Sequence, residues 1–112
     1  MLEAEYLDFY FAHIHFQGEL QLNAIKIMAE EKGQGAEYVS CSYDKEDEDY
    51  REGYVTLYFW KPAVEEDRIV HIDNMTFYTG LAEVCRKDMV KYPEHEDSLS
   101  KYLKKIREEL HL

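Results

Sequence analysis

The chain has 112 residues, 24 of them Asp or Glu against 13 Lys or Arg, for a net charge of −11. That length makes one domain, spanning residues 1–112, with no room for two. With ten Tyr, five Phe and one Trp it carries too many large apolar side chains for a disordered acidic chain, and its charge repels nucleic acid.

From Leu2 to Phe16 the pattern fits two readings. A helix places Tyr6, Phe9, Tyr10 and His13 on one stripe. A strand alternates Phe9, Phe11 and His13 against Tyr10 and Ala12. Helix is preferred, because Ala4, Leu7 and Ala12 suit it and no turn signal splits the run. The acidic start, with no apolar run leading to a small-residue cleavage site, does not suit a signal peptide and predicts a cytoplasmic location.

A second helix is predicted from Gly18 to Lys32. Leu20, Ala24, Ile27 and Met28 fall at helical spacing, and Leu22 and Ile25 widen the face. Gly33 and Gly35 stop it, glycine being able to take the left-handed conformation at a helix end.

Three strands follow, Ala36–Tyr43, Gly53–Trp60 and Arg68–Asp73. In the first, Val39, Cys41 and Tyr43 oppose Tyr38, Ser40 and Ser42. In the second, Val55, Leu57 and Phe59 oppose Tyr54, Thr56, Tyr58 and Trp60. In the third, Val70 and Ile72 point inward and Ile69 and His71 outward. Period-two alternation of β-branched and aromatic residues is the signature of strand. Connections of this length suit an antiparallel meander, since a parallel crossover takes about a dozen residues or more.

Two helices close the chain. Asp73 or Asn74 can cap the first, whose buried stripe is Phe77, Leu81, Val84, Cys85 and Met89. Pro93 opens the second, which buries Leu99, Tyr102, Leu103, Ile106 and Leu110 and turns Lys101, Lys104, Lys105 and Arg107 elsewhere. The expected class is α+β: a small three-stranded antiparallel sheet packed with helices, in the order α-α-β-β-β-α-α.

No catalytic or metal-binding motif emerges, and no cofactor is expected. His13 and His15 are two apart, His71 is isolated in a strand, His95 sits solvated at a helix start, and His111 lies at the chain end. Cys41 and Cys85 fall where a small buried side chain fits, as reduced thiols. Gly33-Gln34-Gly35 follows a helix and lacks phosphate-loop spacing. The acids of 44–49 have neither the central glycine nor the flanking helices of a calcium loop.

Charge is the feature that singles out a surface. Asp44, Glu46, Asp47, Glu48 and Asp49 cluster between the first two strands, and Glu65, Glu66 and Asp67 follow the second. As a solvated, mobile loop such a run aids solubility only. As a surface it attracts a basic protein and raises its encounter rate. Tyr58 and Trp60, beside these acids if helices cover one face of the sheet, are candidate anchors.

The helix end Gly33-Gln34-Gly35, the strand Tyr38-Val39-Ser40-Cys41-Ser42-Tyr43 and the acidic loop into Gly53-Tyr54-Val55 form one half of a further pattern. Phe77-Tyr78-x-x-Leu81, Cys85, and Tyr92-Pro93-Glu94 before a Lys-rich helix form the other. From about Tyr6 onward this combination resembles the small immunity proteins of bacterial contact-dependent growth inhibition (CDI) and related polymorphic toxin systems, in particular those paired with ribonuclease toxins. The resemblance implies a cytoplasmic protein that binds and neutralises the toxin domain of a cognate effector, and it transfers no contact residue. Two other readings share parts of the pattern. An acidic regulatory adaptor or nucleic-acid mimic would bind a broader set of basic proteins. A small hydrolase using carboxylates and a metal would show a thermal shift with divalent cations.

Overall fold

The computed structural model describes residues 2–112. Helix α1 (Glu3–His13) forms as preferred, burying Leu7, Tyr10 and Phe11 at i, i+3 and i+4. Glu5 accepts the Leu2 N–H at 3.3 Å, and with Glu3 it sets negative charge at the positive end of the helix dipole.

The chain then departs from the sequence expectation. Residues read as the end of the first helix and the start of the second form a hairpin, β1 (His15–Phe16) paired antiparallel with β2 (Glu19–Leu20). Its turn residues Gln17 and Gly18 both have positive φ, 50° and 80°, the backbone that matches the twist of a two-residue hairpin. Lys91 ties the hairpin to the third helix through Glu19. Helix α2 therefore starts later (Leu22–Glu31) and buries Ala24, Ile25, Met28 and Ala29. Ile25 is fully buried, whereas Ile27 is only half-buried.

The residue that ends α2 in the left-handed conformation is Lys32, at φ 58°, and not a glycine. Gly33 and Gly35 instead belong to a strand, β3 (Gly33–Gly35), that was not expected. It pairs with β4 (Val39–Ser42), and β5 (Tyr54–Phe59) and β6 (Arg68–Asp73) complete the sheet. The sheet thus has four antiparallel strands in the order β3-β4-β5-β6, correcting the three predicted. The glycines are there for proximity. A Cβ on Gly35 would lie 2.1 Å from Ser40 Cβ, and one on Gly33 would lie 2.6 Å from the Cys41 carbonyl oxygen.

One face of the sheet meets the helices. Val39, Cys41, Val55, Leu57, Phe59 and Ile72 are buried there. Tyr6 and Phe9 of α1 rest on Phe59, with ring centroids 5.1 and 5.4 Å away. The fully buried Tyr10 donates to Gln34 Oε1 at 2.6 Å and accepts the Cys41 thiol at 3.1 Å, fastening α1 to β3 and β4.

Helix α3 (Asn74–Lys91) is capped by Asp73, which accepts the Thr76 N–H at 2.9 Å and the Thr76 hydroxyl at 2.6 Å. It buries Phe77, Leu81 and Cys85, with Val84 and Met89 half-buried. Asp88 is also buried, which the sequence did not suggest. Its partner is His95, whose Nδ1 lies 2.6 Å from Asp88 Oδ2, so His95 is half-buried against a carboxylate and not freely solvated. Pro93–His95 forms a 3₁₀ turn, and α4 (Glu96–Glu109) begins after it, later than expected. Leu99, Leu103 and Ile106, with Leu110 just beyond, are buried, while Lys101, Lys104, Lys105 and Arg107 are exposed. The observed order is thus α-β-β-α-β-β-β-β-α-α, the 3₁₀ turn lying between the last two helices. Both cysteines are free and buried. None of the described helices is long and apolar enough to cross a membrane.

Candidate partner-binding surface

The segment between β4 and β5 is a chain of tight turns. Asp47 N–H donates to the Asp44 carbonyl and Tyr50 N–H to the Asp47 carbonyl, both at 3.0 Å. The aspartates make the turns: Asp44 Oδ1 accepts the Glu46 N–H and Asp47 Oδ1 the Asp49 N–H, each at 2.9 Å. Aspartate favours this because its short carboxylate reaches the backbone two residues on.

These turns lay the segment back over the sheet face that the helices leave uncovered. Tyr58, on that face of β5, donates its hydroxyl to Asp47 Oδ1 at 2.6 Å, and Asp49 Oδ2 lies 3.1 Å from the same oxygen. Thr56 reaches the Asp49 carbonyl at 3.4 Å. His71 Nε2 lies 3.0 Å from that carbonyl, which can only accept, so Nε2 carries the proton. Three strand residues from β5 and β6 thereby hold one loop, which is pinned and not freely mobile. Tyr58 is left 9% exposed. Trp60 is half-buried beside it, ring centroids 5.5 Å apart. Arg51 adds a cation–π contact, 4.5 Å above the Tyr54 ring.

The electrostatics match this geometry. Burial pushes the Asp47 carboxyl up, but hydrogen bonds from Tyr58, the Asp49 N–H and Ser42 outweigh it and hold it below the ordinary carboxylate value. Burial, reinforced by Asp47 and Asp49, drives the Tyr58 hydroxyl well above the ordinary tyrosine value, so it remains a donor.

The candidate acids divide by what they touch. Asp44, Asp47 and Asp49 are half-buried and occupied with turn and Tyr58 bonds, whereas Glu46 and Glu48 are exposed. In the β5–β6 connection Asp67 accepts the Lys61 N–H at 2.8 Å, Glu66 pairs with Arg68 at 2.9 Å, and Glu65 is exposed. The two acidic segments leave opposite ends of β5, but the first doubles back along the strand as far as Tyr58, two residues short of Trp60. Residues 44–67 hold nine acids and three bases. Lys26, Lys101, Lys104 and Lys105 gather instead along a groove between α2 and α4.

Sequence reading did not identify Thr56 and His71 as supports. Both alternate onto the outer face, and that was the available signal. Among the described residues, no three His, Cys, Asp or Glu side chains are grouped to hold a metal ion. No curated protein and no solved structure matches the chain. A family model does, over residues 3–103, and its description is CDI immunity protein.

Proposed function

This chain belongs to the CDI immunity protein family, and from that premise we propose that it binds and inhibits a cognate nuclease toxin domain, a ribonuclease, in the cytoplasm through its acidic surface. A nuclease must bind a polyanion, so its substrate cleft is basic. A protein that offers carboxylates to that cleft or its rim competes with the nucleic acid for the same cations. Fast capture matters, because each free toxin molecule turns over many substrates.

The observation that carries this reading is the pinned loop. A mobile acidic loop would lose conformational entropy on meeting its partner. Here the turn aspartates and Tyr58 have already fixed the loop, so Glu46 and Glu48 stand out from a shaped surface. Glu65, Glu66 and Asp67 extend the negative field, and Trp60 supplies an aromatic contact within it. Tyr58 acts from beneath, by positioning the loop. Inhibition is by binding, with no substrate transformed.

The test is co-expression with the toxin domain of its cognate CDI effector. Growth should be restored and the two proteins should co-purify. Loss of both on replacing Glu46 and Glu48 by Lys, in a protein that still folds, supports the acidic surface. Full rescue and unchanged co-purification by that variant would remove the loop from the mechanism.

A further inference from the structure

Between α1 and the β5–β6 connection runs an open groove of about 490 Å³ that the acidic loop does not touch. Tyr6 and Phe9 form one wall; Pro62, Ala63 and Val64 form the other. Both rings pack one side on Phe59 and remain only half-buried, so aromatic surface faces the groove. Its mouth carries Glu65, Glu66 and Arg68. Arg68 is committed at home, its guanidinium 2.9 Å from Glu66 and 3.1 Å from the Asp67 carbonyl. Glu65 makes no ion pair among the described residues.

We infer that this groove receives an arginine side chain of the toxin domain, its stem against Tyr6, Phe9 and Val64 and its guanidinium at Glu65. The inference rests on the toxin-binding reading above and adds a second, apolar foothold to it. The chemistry selects the occupant. An anionic side chain would be repelled. A purely apolar one would cover Glu65 without pairing it, which carries a desolvation cost. A second copy of this chain brings another −11 charges to the same surface. Arginine matches both halves, because its methylenes bury on apolar surface while its planar head pairs with carboxylate and stacks on aromatic rings.

The experiment fills the groove. Ala63 is half-buried at the edge of the core and its backbone N–H donates to the Trp60 carbonyl at 2.9 Å, so Ala63→Trp is assayed as protein whose circular dichroism and cooperative melting show that it is folded. Affinity for the toxin domain, by calorimetry, should fall about tenfold or more, as when a packed anchor is lost. Glu65→Gln should cost less, about threefold, and that loss should fade in high salt. An arginine-to-alanine scan of the toxin should then find one variant that weakens binding to the parent chain but adds nothing to the Ala63→Trp loss. Parental affinity for a folded Ala63→Trp protein overturns the inference, as does a scan with no coupled arginine. If Ala63→Trp binds normally while the Glu46/Glu48 reversal weakens capture, the groove fails and the acidic surface stands. If the reversal does nothing while Ala63→Trp abolishes binding, the groove stands without the loop.

Discussion

Replacing Tyr58 by Phe isolates the latch that shapes the acidic loop. The ring keeps its packing beside Trp60 and loses only the hydroxyl that donates to Asp47 at 2.6 Å. A hydrogen bond to a charged group contributes about 1.5–3 kcal/mol. Asp47 is half-buried and keeps its bond from the Asp49 N–H, so the lower end applies, about 1.5 kcal/mol. For a domain of this size that lowers the melting temperature by roughly 4–8 °C. The effect also has a pH signature. The folded Asp47 carboxyl is held below its ordinary value, so its stabilisation is present above the unfolded pKa and is lost as pH falls through the folded one. The gap between parent and variant should be full at neutral pH and shrink in acid below about pH 4, near the ordinary carboxylate range. Urea denaturation at neutral and acid pH gives the two gaps, and amide hydrogen exchange at Glu46 and Asp49 reports the loop itself. A variant as stable as the parent at neutral pH, with exchange at those amides unchanged, would refute the latch.

Two further outcomes follow from the packing. Gly35→Ala places a Cβ against Ser40 Cβ and must force β3 from β4; a loss of about 1–3 kcal/mol should appear as a lower urea midpoint, whereas an unchanged midpoint would deny the close approach. Burial raises the Cys41 thiol to about 11 and the Cys85 thiol to about 12, so a thiol reagent at pH 8 should meet on the order of a hundredth of the usual reactive thiolate at Cys41 and a thousandth at Cys85 in the native protein, and both thiols once urea is added.

Much of the architecture is readable where side chains alternate or repeat. Val55, Leu57 and Phe59 announce β5, and Leu99, Leu103 and Ile106 announce α4, because burial selects the residues and the period reports the backbone. Strand β3 gives no such signal. Gly-Gln-Gly has almost no side chains to alternate, and its purpose, letting two backbones close up, shows only once Ser40 is placed opposite. The hairpin at Gln17-Gly18 is hidden for a different reason: Leu20 continues the apolar spacing of α2, so Gly18 reads as the start of that helix. Asp88 carries no sequence signal of burial, because its partner, His95, arrives seven positions later across a helix break.

The candidate surface was legible as composition but not as shape. Charge located the acids of 44–49, yet nothing in a run of carboxylates says which will bend inward. That is decided by the turn chemistry of Asp44 and Asp47 and by donors on the outer face of the sheet, above all Tyr58. An outward-facing tyrosine next to acids reads as core or as a partner's anchor; that its hydroxyl is taken up by Asp47 and Asp49 shows only in the structure.

The association rate of the toxin domain with this chain, measured by stopped flow across ionic strength, tests the central claim most directly. If carboxylates capture the toxin, the rate should fall steeply with added salt while dissociation changes little. The Glu46→Lys, Glu48→Lys variant should start about tenfold slower at low salt and follow a flatter line. A parental rate that ignores salt, or a variant that tracks the parent at every ionic strength, would contradict the account.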